Sequence, residues 1–197
     1  LATSSAASDV YKRQLFIHSL SRRMTIREII TVPNPLLKTI SEPVTIIDDE
    51  ILLLIDDMFE TMYAAPGIGL AAIQVGVPKR ILVIDISRDD EARNPLFFIN
   101  PEIIDPTDTL NSYEEGCLSV PGVWEEIERP DECTVNYLDK NGDEQSIRCQ
   151  GMLATVIQHE MDHLNGVVFV DHLSKLKRDR AIKKSIKSRV SEPENDK

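Results

Sequence analysis

Apolar positions first fall into a clear rhythm after Asp48. In EILLLIDDMFETMYAA, residues Ile51, Leu54, Ile55, Met58, Phe59 and Met62 recur at helical spacing and share one face. Asp48 and Asp49 suit a helix start, and Pro66 with Gly67 ends the run. The pattern then shortens to strand-like runs at Arg80 to Ile86 (RILVIDI) and Leu96 to Asn100 (LFFIN). A hairpin follows, with Cys133 to Leu138 and Glu144 to Cys149 flanking DKNGD, whose Asn141-Gly142 is the strongest turn signal in the chain. Cys133 alternates in phase with Val135 and Tyr137, and Cys149 with Ile147, so both read as buried strand residues. Leu153 to Leu164 reads as a second helix and Leu173 to Val190 as a third. The strands cluster between helices instead of alternating with them. This predicts an α+β fold: a mostly antiparallel or mixed sheet packed around the central helix 153–164, with another helix at the C-terminus.

Residues 1–23 follow neither a period of 2 nor one of 3.6 and precede Met24. They are expected to be an extension outside the fold, either a non-native segment or an organelle transit peptide, because Ser, Lys and Arg are enriched and Asp9 is the only acid. One domain is expected over residues 24–190, followed by the polar tail 191–197 (SEPENDK).

With 197 residues, 42% hydrophobic and 28% charged, the composition is that of a soluble globular protein, and the apolar runs are too short for a membrane helix. The net charge of -11 argues against DNA binding by the body of the domain, since a surface that tracks phosphates needs clustered Lys and Arg. The charge is segregated, however. Leu173 to Val190 holds eight basic residues against Asp179 alone, so this segment carries +7 and the remainder -18. It reads either as a solvated helix face or as a basic docking surface. Three cysteines without a CxxC pattern argue against a disulfide framework and favour a reducing compartment.

Candidate chemistry enters with QHEMDHLNG, Gln158 to Gly166, where two histidines stand four residues apart. At about 100° per residue and with His159 at zero, His163 falls near 40°, Val156 near 60°, Glu160 near 100°, Leu153 near 120° and Ile157 near 160°. Glu160 therefore sits within the apolar arc, where a carboxylate is costly unless paired or functional. Gln158 and Asp162, at about 260° and 300°, are expected on the solvent side. Each histidine alone would read as a satisfied core residue; the trio together points to a metal. Histidines at i and i+4 can hold one ion through two imidazoles, while the adjacent glutamate reaches a water at that ion and acts as general acid and base. That chemistry is hydrolysis of a carbonyl compound such as an amide.

Two ligands leave a third to be found. Zinc proteases written HExxHxxGxxH take it six residues after the second histidine, and here Gly166 fits but the ligand position is Phe169. His172 is three residues too late and is expected at the start of the last helix, while Glu192 and Glu194 lie in the polar tail. Upstream, YEEGCLSVPG holds Cys117 between Gly/Pro-bounded turns. A buried cysteine reads equally well from that segment alone; as a ligand, Cys117 would complete a Cys-His-His set with one open position, which is a catalytic count.

At this point a resemblance becomes specific. GIGLAAIQ (Gly67 to Gln74), EGCLS (Glu115 to Ser119) and HEMDH (His159 to His163) occur in the order and spacing of peptide deformylases, and MTIREIITVPNPLLKTISEPV and VVFVDHL agree, so the resemblance spans about residues 24 to 185. It implies an enzyme that hydrolyses the N-formyl group from the initiator methionine of nascent polypeptides, releasing formate. It implies one divalent ion held by Cys117, His159 and His163, with Fe(II) favoured and Zn(II) the alternative. Glu160 would be the general acid/base, with Gln74 and the backbone N–H of Leu118 donating to the oxyanion. Gly67 and Gly69 would let backbone approach the substrate. Ile68, Glu115 and Gly116 would border the methionine pocket, with Val156 or Ile157 as its apolar wall. The basic last helix would dock on the ribosome, and the compartment would be the bacterial cytoplasm, or an organelle if residues 1–23 are a transit peptide. GIGLAA also fits the nucleotide-binding pattern GxGxxA, but it follows a helix and no βαβ unit surrounds it. The competing functions are a zinc endopeptidase of different fold and a non-catalytic protein stapled by its metal.

Overall fold

The structure, a computed structural model, describes residues 24–88 and 91–191, so the N-terminal extension 1–23 and most of the polar tail lie outside the described residues. Helix α1 spans Asp49–Ala64, and its N-cap is Asp48, whose side chain accepts from the N–H groups of Glu50 and Ile51 at 3.0 Å each. Seven strands follow: β1 (Gly69–Ala71), β2 (Ile81–Ile84), β3 (Leu96–Ile104), β4 (Leu110–Gly116), β5 (Trp124–Pro130), β6 (Glu132–Leu138) and β7 (Glu144–Gln150). Helix α2 is Gly151–Leu164, and α3 is Lys175–Ser191. The fold is α+β, as its residue pattern predicts.

Five strands form one antiparallel sheet in the order β1-β2-β3-β6-β7, and β4 pairs with β5 in a second, two-stranded sheet. Strand β2 shows why ILVI is apolar without a break. Leu82 and Ile84 pack with Phe98, Cys133, Cys149, Val156 and Ile157 under α2, whereas Ile81 and Val83 pack with Leu54, Ile55, Met58 and Met62 of α1. Both faces of the strand are buried, so alternation disappears. α2 is thereby held against the sheet with its histidine-bearing side turned toward the two-stranded sheet.

Three features depart from the sequence reading. Strand β3 continues past Asn100-Pro101 because Asn100 adopts a left-handed φ of 51° and the register shifts between Ile99 and Glu102. The Asn100 side chain pins this bulge by bonding both the N–H and the carbonyl of Val44. Second, Gln158 is not on a solvent face: it is 8% exposed and donates to the carbonyls of Pro130 and Ala154. α2 is covered on nearly every side, by the sheet, by β5 and by the turn Phe169–His172. Third, His172 belongs to that 3₁₀ turn and not to α3. Among the described residues, no helix is long and apolar enough to cross a membrane.

Candidate metal centre

α2 carries His159 and His163 on one side, and Cys117 meets them as the first residue beyond β4. The donor atoms of Cys117, His159 and His163 all lie within 4.8 Å of one another, and Cys117 Sγ is 3.2 Å from His163 Nε2. Donors sharing one tetrahedral cation stand about 3.5 Å apart, given metal–sulfur and metal–nitrogen bonds of about 2.3 and 2.05 Å. Their chemistry fits as well. His159 Nδ1 is engaged by Glu115 Oε2 at 2.7 Å, which leaves Nε2 as its free nitrogen. Burial opposes charge on both imidazoles. The hydrogen bonds with Cys117 and Glu115 and the charges of Cys117 and Glu160 nevertheless raise His159 well above the ordinary histidine range, while burial and the charge of His159 hold His163 well below it. One sulfur and two imidazole nitrogens thus converge closely enough for a single cation to sit among them.

Glu115 is fixed from its other side by a buried ion pair. Arg129 donates Nε to Oε1 at 2.6 Å and Nη2 to Oε2 at 3.0 Å, a bidentate clamp. Burial alone would raise the Glu115 carboxyl, but the hydrogen bonds from His159 and Arg129 outweigh it and hold the group below the usual carboxylate range. Glu115 is therefore an anion that orients His159.

Glu160 lies 4% exposed beside this cluster, and its Oε2 has no hydrogen-bond partner among the described residues. Burial, opposed by the charge of His159, pushes its carboxyl up to about 7. Its position depends on Gly69: a Cβ there would stand 2.4 Å from Glu160 Oε1 and 2.9 Å from Val156 Cγ1. A Cβ on Gly67 would stand 2.8 Å from Leu118 Cδ1. The glycines of the first motif thus make room for side chains of the other two motifs. Gln74 links the same pieces, accepting from Ala71 N–H at 2.8 Å and reaching Ser119 Oγ at 3.1 Å and Cys117 Sγ at 3.5 Å through Nε2.

These groups open into a cleft of about 500 Å³ whose sides include Ile68, Tyr113, Leu118, Trp124, Met152 and Val156. Gly67, Gly69, Gln74, Glu115, Gly116, Cys117, His159 and Glu160 also line it. Ile157 does not: it is fully buried in the core between α2 and the sheet.

Residues 26–179 match the family model described as polypeptide deformylase. The chain belongs to the peptide deformylase family. It is 60% identical over 161 residues to the peptide deformylase of Maricaulis maris, covering 82% of this chain and 92% of that one, and equally identical to that of Pelagibacter ubique, with 82% and 94% covered. The crystal structure of peptide deformylase from Ehrlichia chaffeensis matches with a TM-score of 0.80 at 47% identity, covering 84% of this chain and 98% of that one. The same enzyme in complex with actinonin matches with a TM-score of 0.80 at 50% identity, over the same shares of both chains. Membership in this family of hydrolases removes the endopeptidase of different fold and the metal-stapled protein as readings.

Sequence reasoning missed Arg129, Ser119 and the strands that carry Glu115 and Arg129. One signal was available: Arg129 stands in phase with Ile127, and both are buried on β5 while Glu126 and Glu128 are exposed. An arginine in phase with a core residue implies a buried carboxylate partner.

Proposed function

We propose that the cleft binds the formylated N-terminal methionine of a nascent polypeptide and hydrolyses its formamide bond, giving formate and a free amine. The reading rests on one observation, the convergence of one sulfur and two imidazole nitrogens beside the buried Glu160 carboxylate at the head of an apolar cleft. Cys117, His159 and His163 would hold a divalent ion; their set suits Fe(II) or Zn(II), and family resemblance favours Fe(II). When bound, that ion supplies Lewis acidity toward the formyl oxygen and toward water.

The chain's own residues divide the remaining work. Glu160 takes a proton from the attacking water as the new C–O bond forms, and returns it to the amine nitrogen as the C–N bond breaks. Gln74 Nε2 and the Leu118 N–H donate to the oxyanion, each contributing roughly 3 to 4 kcal/mol as in comparable sites. Ile68, Gly116 and Val156 border the methionine side chain, and Glu115 serves His159 more than the pocket. The decisive assay is formate release from a formyl-methionyl peptide; no release from protein loaded anaerobically with Fe(II) would sink the reading.

Gly69→Ala is expected to displace Glu160, since the added methyl would overlap its carboxylate. A displacement near 1 Å costs roughly 100-fold in rate. Formate release should fall by about that factor with metal content unchanged, which separates positioning of the acid/base from loss of the ion.

Such a substrate places the enzyme where polypeptides are being made, in the bacterial cytoplasm. Lys175, Lys177, Arg180, Lys183, Lys184, Lys187 and Arg189 are exposed on α3, which packs inward through Ala181 and Ser185. We assign this basic face to docking on ribosomal RNA near the emerging chain. Co-sedimentation with ribosomes should weaken steeply as salt rises; salt-independent binding, or none at low salt, would remove the assignment.

A further inference from the structure

The clamp on His159 does not end at Arg129. The third guanidinium nitrogen, Nη1, donates to Asp162 Oδ2 at 2.9 Å, and the same oxygen lies 2.7 Å from His172 Nε2. Arg129 is 7% exposed and Asp162 22%, whereas His172 is 41% exposed. A continuous line therefore runs from the surface to a metal ligand: His172, Asp162, Arg129, Glu115, His159. His172 ends the turn Phe169–His172, and the first residue of that turn also reaches the ligand. The Phe169 ring stacks on His159 with centroids 5.9 Å apart and planes at 27°. One short turn thus holds one imidazole twice, directly through an aromatic face and indirectly through four polar groups.

We propose that Asp162 and His172 are positioning residues for the metal ligand His159, acting through Arg129 and Glu115, so that the 169–172 turn sets the aim of His159 Nε2. The physical reason lies in Arg129. Its planar fork serves two carboxylates: Nε and Nη2 hold both oxygens of Glu115, and Nη1 on Asp162 braces the guanidinium against tilting about that pair. Release of Nη1 lets the fork rotate, and Glu115 Oε2 then no longer fixes the tilt of the His159 ring. Outer partners of a ligating histidine commonly matter by 10- to 100-fold in metal affinity. The inference rests on the proposed ligand set of Cys117, His159 and His163.

The test uses Co(II)-loaded full-length protein, with Co(II) affinity read by competition with a chromogenic chelator and ligand geometry by the visible absorption of the Co(II) protein. Asp162→Asn is expected to weaken Co(II) about tenfold and to shift the visible bands. His172→Ala is expected to act in the same direction by a smaller factor. In formate release, kcat should fall while KM holds, because neither residue lines the cleft. Acting in one line, the two substitutions should combine to no more than Asp162→Asn alone; additive losses would overturn the proposal. So would wild-type affinity and spectrum in Asp162→Asn. Cys117→Ala separates the two levels. Loss of Co(II) binding there with an unaffected Asp162→Asn rejects only the positioning line, whereas undiminished binding in Cys117→Ala rejects the ligand set and the positioning line with it.

Discussion

Replacement of Glu160 by alanine is expected to leave the metal in place and to lower kcat for formate release by about 1,000-fold, within the 10²–10⁴ range of general acid–base catalysis. Glu160 Oε2 has no hydrogen-bond partner among the described residues, and burial pushes the carboxyl up to about 7, so it can exchange a proton close to neutral pH. Glu160 is not one of the three residues proposed to hold the ion, so metal content should remain at roughly one ion per chain by elemental analysis. The ion-free variant should also melt no lower than the wild type, because an unpartnered buried carboxylate is a cost to folding. Turnover within tenfold of wild type would remove Glu160 from the chemistry. Glu160→Gln keeps the shape over Gly69 and should be equally slow, which tells proton transfer from packing.

Loss of the ion is the expected result of Cys117→Ala. Removing the sulfur leaves two imidazoles, a set too small for tight retention, and anaerobically purified protein should carry well under one ion per chain where the wild type carries about one. The fold should survive. Cys117 is only partly buried, and apart from its 3.2 Å approach to His163 Nε2 its polar contacts are weak ones, from Ser119 N–H at 3.4 Å and Gln74 Nε2 at 3.5 Å. Circular dichroism beside metal analysis checks both halves; an alanine variant that keeps a full ion would show that the histidines hold it with some other group.

What could be read in advance divides along the range of the interactions. α1, the β6–β7 hairpin and α2 are written locally, in periodicity, in the Asp48 cap and in Asn141-Gly142, and the hairpin register follows with Cys133 opposite Cys149. Strands β4 and β5 were hidden because Glu114, Glu115, Glu125, Glu126 and Glu128 interrupt their alternation, and the Glu115–Arg129 pair that explains one of these acids forms only across the folded ladder. β1 was hidden by its length of three residues. In the site, the helical pair and Glu160 were legible from the helix wheel. Cys117 was undecided by its own segment, and only its place among three motifs brought it forward. Gln158 was assigned the wrong side because the wheel sees one apolar arc, whereas the folded helix is covered on its other side by β5.

The two hairpin sulfurs have a practical consequence. Cys133 and Cys149 face one another across the ladder and are fully enclosed, so of the chain's three thiols only Cys117 is open to a dissolved electrophile. Coordination would cap that one nucleophile. Native-state labelling with a maleimide dye would therefore count apoenzyme molecules in a mixed preparation, with denatured protein giving the three-thiol endpoint.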